Sequence, residues 1–174
     1  GIAFDKKSPR LEKLYVQLPF EMTSAQKKVV REIRNDMRSS SPMNRLLQGD
    51  VGAGKTLVAI MAILVALDNG KQAALMAPTE ILAEQHYLNI YKMFEQLQVK
   101  VDLLTGRTPV SERKQIAEKL SAGEPHLLIG THALIQDNVG FTNLSLVIID
   151  EQHRFGVTQR GKLIEKGIYP DVLV

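Results

Sequence analysis

Residues 49–56 place the strongest restriction on the fold, because they fit the pattern G-x-x-x-x-G-K-[ST]. In order they are Gly49, Asp50, Val51, Gly52, Ala53, Gly54, Lys55 and Thr56. The segment lies between a predicted strand and a predicted helix, the context that a phosphate-binding loop needs. Its glycines let the backbone wrap closely around phosphates, and the unpaired N–H groups of the helix start face the anion. Lys55 supplies a charge for the β and γ phosphates and the Thr56 hydroxyl would bind Mg²⁺, so the sequence predicts a site for ATP and Mg²⁺.

Short apolar runs alternate with longer amphipathic runs along the rest of the chain. The short runs predict strands at residues 45–48, 73–77, 99–104, 127–130 and 146–150. The longer runs predict helices at residues 55–67, 79–97 and 110–120. Gly70 and Gly123 follow the first and the last of these helices as predicted C-caps. The predicted strands are continuously apolar, which is typical of strands buried on both faces, so we expect an α/β fold with a mostly parallel sheet between layers of helices.

The composition excludes several classes of protein. The chain has 174 residues, of which 44% are hydrophobic and 24% charged, and this suits one domain with a sizeable core. No apolar run reaches the roughly 20 residues of a membrane span and no basic, apolar leader opens the chain, so neither a membrane span nor a signal peptide is expected. The lack of Cys excludes disulfides and thiolate metal sites and fits a cytoplasmic location. A net charge of +3 favours, weakly, a polyanionic partner.

Both ends of the chain predict a connection to a larger protein. Residues 1–18 contain clustered basic side chains, and Pro9 and Pro19 interrupt any long helix, so we expect this segment to be a linker or the tail of a preceding domain. One domain would then cover residues 19–174. Residues 171–174 form an apolar run that predicts a strand with no turn after it, which suggests that the domain has been separated from a following part.

Two carboxylates follow one another at the end of the predicted strand at residues 146–150. A buried strand would hold Asp150 rigidly beside the phosphate loop, where its carboxylate binds Mg²⁺ through water. Glu151 would orient or deprotonate the attacking water. Taken alone, such a pair is more often a helix N-cap, but the phosphate loop upstream favours the catalytic interpretation. His153 is either structural or a sensor of the γ-phosphate.

Longer motifs carry a resemblance to a known family. They are the phosphate loop, Ala77-Pro78-Thr79-Glu80-Ile81-Leu82-Ala83-Glu84-Gln85-His86, Gly130-Thr131-His132-Ala133-Leu134 and Asp150-Glu151-Gln152-His153-Arg154-Phe155-Gly156-Val157. From about residue 18 onward the chain resembles the RecG family of bacterial ATP-dependent DNA helicases, which are DExH-type members of superfamily 2. The translocase module of the transcription-repair coupling factor Mfd is similar too, but that family tends to carry Glu where Gln152 stands. Ala53 is commonly Ser in the RecG family, and only a small side chain is needed there.

The resemblance implies a RecA-like, P-loop three-layer sandwich that is the first of two motor domains. It also implies adenine contacts upstream of the phosphate loop, with Phe20 flanking the base and Gln26 reading its edge through one donor and one acceptor. Thr23 and Gln26 equally fit a capping box that opens a predicted helix at residues 24–37. The two interpretations are compatible, and the spacing does not choose between them.

The resemblance further implies contacts between this chain and a nucleic-acid backbone. They would come from Pro78, Thr79, Thr131 and His132, with Arg107 of the segment 105–107 as a phosphate-pairing cation. The alternative for Thr79 is a simple helix N-cap. Basic side chains at helical spacing form either a second DNA-facing stripe or, by the commoner interpretation, a solvated helix face; they are Lys27, Arg31, Arg34 and Arg38.

The function implied for the whole enzyme is ATP hydrolysis coupled to translocation on duplex DNA, remodelling branched DNA such as stalled forks. Its partners would be branched or duplex DNA and a second RecA-like domain of the same parent chain, and no membrane. Two alternatives stay open: a translocase module of the Mfd type, and a nucleotide-binding module that does not turn over ATP in isolation.

Overall fold

The computed structural model describes the backbone of residues 31, 44–45, 53–136, 139–149 and 171–173, and the side chains of residues 31, 59–136 and 139–149. In chain order the elements are β1 (Asn44–Arg45), α1 (Ala53–Asp68), β2 (Gln72–Met76), α2 (Glu80–Glu95), β3 (Val101–Leu104), α3 (Val110–Ser121), β4 (His126–Gly130), a 3-10 helix (His132–Ile135), β5 (Leu144–Ile149) and β6 (Asp171–Leu173). Arg31 is helical and exposed, and the rest of the basic stripe predicted at residues 27–38 lies outside the described residues.

The described strands form a six-stranded sheet in the order β1-β6-β5-β2-β4-β3, and every pairing is parallel. One face packs against α1 and α2, and the other packs against α3 and the 3-10 helix. Along β2, Ala73 and Leu75 belong to the first layer of the core, while Ala74 and Met76 belong to the second. Every residue of β2, β4 and β5 is buried, because both faces of these strands are covered. The predicted three-layer α/β sandwich is confirmed.

Helices α1 and α3 end where Gly70 and Gly123 predict. Beyond α1, Gly70 has a φ of +76°, its N–H donates to the Leu67 carbonyl at 3.0 Å, and the Lys71 N–H donates to the Ala66 carbonyl at 3.1 Å. This is the Schellman pattern, which needs the left-handed conformation that glycine adopts without strain. Gly123 stands beyond α3 in the same conformation, with a φ of +72°. Within the described part of the chain, none of the helices combines the length and the apolar character that a bilayer crossing requires.

Element boundaries differ from the predicted ones by at most two residues within the described ranges. The strand predicted from residue 99 begins at Val101 because the turn after α2 is longer than expected: the Val99 N–H still donates to the Phe94 carbonyl at 3.4 Å, and Gln98 has a φ of +56°. The 3-10 helix after β4 was not predicted, since four residues are too few to show a period.

One buried amide, that of Gln72 at the start of β2, connects three loops at the amino edge of the sheet. Its Nε2 donates to the carbonyls of Leu120 at 3.1 Å and Glu124 at 3.2 Å. Its Oε1 accepts the N–H groups of Thr142 and Asn143, both at 3.0 Å. Gln72 is fully buried, and the four bonds use both donors and both acceptor sites of the amide. The amide therefore ties the end of α3 and the approach to β5 to the first residue of β2.

We expect Gln72→Leu to lower the free energy of unfolding by about 1–3 kcal/mol, because it keeps the volume but removes the four hydrogen bonds of a buried amide. Urea denaturation followed by circular dichroism measures the change. Gln85→Leu is the matched control, since Gln85 is exposed on α2 and its replacement should change stability by no more than about 0.5 kcal/mol. Equal destabilisation by the two variants would show that the Gln72 network does not stabilise the fold.

Candidate nucleotide and nucleic-acid site

The predicted site residues follow strands that end at the same edge of the sheet. The pairing register places Leu104 of β3, Gly130 of β4, Met76 of β2 and Ile149 of β5 in one row. All four strands are parallel, so the segments that leave this row emerge side by side. In open α/β sheets, ligands bind outside the carboxyl ends of the strands. This carboxyl edge is therefore the candidate site, and it is where the sequence motifs begin.

The nucleotide half of this edge lies mostly outside the described residues. That holds for Phe20, Gln26, Gly49, Asp50, Val51, Gly52, Asp150, Glu151 and His153, whose predicted roles stay predictions. Ala53, Gly54, Lys55 and Thr56 form the first turn of α1, and their side chains are not described. β1 precedes this turn in the chain, as a phosphate loop requires. A first helical turn carries N–H groups without partners within the helix, and this fits the binding of a phosphate.

The start of α2 is well defined. Thr79 is the N-cap: its hydroxyl oxygen accepts the Leu82 N–H at 3.2 Å, and its backbone is extended with a φ of −133°. The capping interpretation of Thr79 is therefore confirmed. It does not conflict with a DNA contact, because Thr79 is exposed and its hydroxyl can still donate its own proton to a phosphate oxygen. Pro78 is half-buried before it.

The turn after β3 presents Arg107 on a rigid backbone. Thr105 is buried; its N–H donates to the Thr108 hydroxyl at 2.9 Å, and its own hydroxyl accepts the Arg107 N–H at 3.2 Å. From α3, Arg113 donates to the carbonyl of Thr105 at 2.8 Å and to that of Thr108 at 2.9 Å. Sequence reasoning missed the role of Arg113, because nothing in its spacing separates it from other surface cations of α3.

An ion pair joins this turn to α2. The Arg107 Nε lies 3.0 Å from the Glu80 Oε2. The Arg107 side chain is 83% exposed and that of Glu80 is 32% exposed. Two segments that are 27 residues apart in the sequence thus meet, as predicted for a shared face. The part that the Glu80 carboxylate plays in this contact was not predicted.

Thr131 differs from the other residues of the predicted DNA surface, because it is buried. Gly130 before it leaves no room for a side chain, since an added Cβ would lie 2.2 Å from the Leu104 carbonyl oxygen. The Thr131 N–H donates to the same Leu104 carbonyl at 3.4 Å. The exposed fraction of Thr131 is 1%, and its hydroxyl accepts the Ala133 N–H at 3.5 Å to cap the 3-10 helix. The Thr131 hydroxyl therefore does not face solvent, whereas His132 next to it is exposed.

A second charged cluster lies along the same side of the molecule, on β3, β4 and α3. Asp102 Oδ2 is 2.8 Å from the Nε2 of buried His126 and 3.1 Å from the Nζ of Lys119. Burial alone would raise the pKa of Asp102, but the hydrogen bonds from His126 and Lys119 outweigh it and hold the pKa below its usual value. A polar groove of about 460 Å³ runs from this cluster to Arg107. Within the described residues, no group of three His, Asp or Glu side chains is placed to hold a metal ion.

The comparison with known families identifies the family of this chain. Residues 23–169 match the family model of DEAD/DEAH box helicases. The chain belongs to the DEAD/DEAH box helicase family. Membership in a helicase family implies that this chain binds a nucleotide. Proteins of much lower identity share the fold, among them the helicase MrfA, with a TM-score of 0.74 at 17% identity over 94% of this chain and 28% of that one.

Individual relatives confirm the resemblance to RecG. The ATP-dependent DNA helicase RecG of Synechocystis sp. is 58% identical over 163 residues, which are 94% of this chain and 20% of that protein. RecG of Bacillus subtilis is 55% identical over 173 residues, 99% of this chain and 25% of that protein. A solved structure of RecG bound to a three-way DNA junction matches with a TM-score of 0.89 and 50% identity, over 100% of this chain and 23% of that one. The chain thus spans about a fifth to a quarter of the length of these relatives.

Proposed function

We propose that the chain is the ATP-binding motor domain of a DNA helicase or translocase that remodels branched duplex DNA. The observation that carries the proposal is the shared carboxyl edge. The first turn of α1, the end of β5 and the turns at Thr79 and Arg107 all leave one parallel sheet on the same side. A nucleotide and a DNA backbone bound there would be close enough for the state of one to affect the binding of the other. The solved RecG relative is bound to a three-way DNA junction, which supports the choice of branched DNA.

The nucleotide would be ATP, bound along the phosphate loop. Lys55 would pair with the β and γ phosphates, Thr56 and Asp150 would hold Mg²⁺, and Glu151 would orient or deprotonate the attacking water. When bound, Mg²⁺ would neutralise part of the phosphate charge. Phe20 and Gln26 would contact the adenine, and His153 would sense the γ-phosphate. The oxygen ligands proposed for Mg²⁺ are those that this cation prefers in proteins.

DNA would be held by its backbone rather than by its bases. The surface offers the Thr79 hydroxyl, the N–H groups of the first turn of α2, the Arg107 guanidinium and the exposed His132. Such groups bind phosphates in any sequence. Pro78 shapes the entry to α2. Thr131 would act indirectly, because its hydroxyl is used in capping the helix that begins with His132.

The complete motor would need more than this chain. We propose that residues 19–174 are the first RecA-like domain, that residues 1–18 link it to a preceding part, and that a second RecA-like domain closes on the nucleotide. Closure converts binding energy into movement only if two domains hold the DNA in turn. The second domain would also supply the arginine that, in related P-loop enzymes, raises the rate of hydrolysis about 10³–10⁵-fold.

The isolated 174-residue chain provides the test. We expect it to bind ATP with Mg²⁺ in a calorimetric titration, to bind a labelled three-way junction weakly and in a salt-dependent way, and not to unwind a fork. A chain denatured and refolded without recovery of its circular dichroism spectrum serves as the inactive control. Unwinding by a verified monomer would overturn the assignment as half of a motor, and failure to bind any nucleotide would overturn the assignment as a motor domain.

A further inference from the structure

Glu80 lies at the amino end of α2, where a helix attracts anions. It is the first residue of α2, directly after the Thr79 N-cap. The first turn of a helix has N–H groups without helical partners and carries the positive end of the helix dipole, so it attracts an anion. A carboxylate in this turn already benefits from that attraction. A DNA phosphate that approaches α2 therefore meets a negative charge that belongs to the protein.

Glu80 also pairs with the cation that a phosphate would use. Its Oε2 lies 3.0 Å from the Arg107 Nε, and its Oε1 faces the backbone at Gly106, where an added Cβ would be 3.4 Å away. The Thr105, Thr108 and Arg113 bonds hold the backbone of this turn, so the side chain of Arg107 is the part that can move. Arginine has five N–H donors, and Glu80 engages the one at Nε.

We propose that Glu80 is an intramolecular counter-ion that limits the affinity of this surface for DNA phosphates. The inference rests on the proposed DNA-binding function and names its regulation. Glu80 weakens phosphate binding in two ways: it neutralises Arg107, and it repels the incoming phosphate. A motor that moves along DNA must release each phosphate it holds, and a surface without this carboxylate would release more slowly. Both effects are electrostatic, and the side chains of Arg107 and Glu80 are at least partly exposed to solvent. Added salt therefore reduces both effects.

Substitution of Glu80 by Gln tests the proposal, because it keeps the size of the side chain and removes its charge. We expect the 174-residue Glu80→Gln chain to bind a fluorescein-labelled duplex about three- to tenfold more tightly at low salt, as two like charges some 6 Å apart in a largely aqueous setting would predict. Fluorescence anisotropy measures the affinity, and thermal unfolding checks that each variant is folded. The gain in DNA affinity should be smaller when Arg107→Ala is also present. It should also become smaller as the salt concentration is raised.

The control is Glu95→Gln, which removes the same charge from an exposed position at the other end of α2, roughly 22 Å away along the helix axis. It should change the affinity less than twofold. The proposal is overturned if Glu80→Gln weakens binding or leaves it unchanged while Arg107→Ala weakens it, since Glu80 would then position Arg107 or do nothing. If Arg107→Ala has no effect on a duplex that does bind, the DNA surface of the proposed function lies elsewhere and both assignments fail; nucleotide titration shows whether the ATP site survives.

Discussion

We expect Glu151→Gln to lower DNA-stimulated ATP turnover about 10²–10⁴-fold, while ATP binding stays nearly intact, in a longer protein that joins this chain to a second RecA-like domain. A glutamine has the same size as the glutamate but cannot accept a proton from water. General-base groups typically contribute an effect of this size. Binding should survive because the phosphates would be held by the loop at residues 49–56 and not by Glu151.

The structure supports this expectation through the strand that leads to Glu151. β5 is buried along its whole length, and Ile149 at its end is in register with Met76 of β2. A strand held on both sides and both faces ends at a defined place on the carboxyl edge. Two residues beyond Ile149, Glu151 would lie on the nucleotide side of that edge.

Steady-state ATPase assays with saturating DNA measure the loss, and calorimetric titration measures the binding. Glu84→Gln is the matched control: Glu84 is an exposed carboxylate on α2, and its replacement should leave turnover within about twofold of the unmodified protein. If ATP turnover falls less than tenfold in the Glu151→Gln variant, the general base is another residue.

The second large effect is expected at the phosphate loop. Lys55→Ala should weaken ATP binding by roughly 1.5–3 kcal/mol, about ten- to 150-fold, because a charge-assisted hydrogen bond to phosphate is lost. The measurement needs only the 174-residue chain with ATP and Mg²⁺ in a titration calorimeter. Lys55 lies in the first turn of α1, which follows β1 in the chain.

Lys71→Ala is the matched control for Lys55→Ala. Lys71 follows the C-terminal end of the same helix, roughly 24 Å from its start, so the variant removes an equal charge far from the nucleotide. Its affinity for ATP should stay within about twofold of the unmodified chain. If Lys55→Ala binds as tightly as Lys71→Ala, then Lys55 does not contact the phosphates.

The order and type of the elements could be predicted from the sequence because the signals are local. The glycine pattern at residues 49–56 demands a strand before it and a helix after it, and α1 begins inside that pattern. Continuous apolar runs predict strands buried on both faces, and β2, β4 and β5 are buried throughout. Gly70 marks the end of α1 because a left-handed residue is needed there.

Contacts between distant segments could not be predicted in the same way. Nothing local places β2 between β4 and β5, since strand order depends on how the helices pack over the whole sheet. Glu80 looked like an ordinary first-turn acid, and only the meeting of α2 with the turn after β3 reveals its pairing with Arg107. No local feature of the sequence marks Gln72 as buried, yet it is fully buried with four hydrogen bonds.

Thr131 illustrates the difference between what the local sequence predicts and what the tertiary contacts decide. Its motif places it at the carboxyl edge, and the structure agrees, because residue type and spacing determine which strand it follows. The burial of its side chain is instead a property of the tertiary structure: β4 lies so close to β3 that a Cβ on the preceding Gly130 would be 2.2 Å from the Leu104 carbonyl oxygen. Local sequence thus determined the elements, their order along the chain and the edge that holds the motifs. Packing between strands and helices decided which of those side chains are exposed.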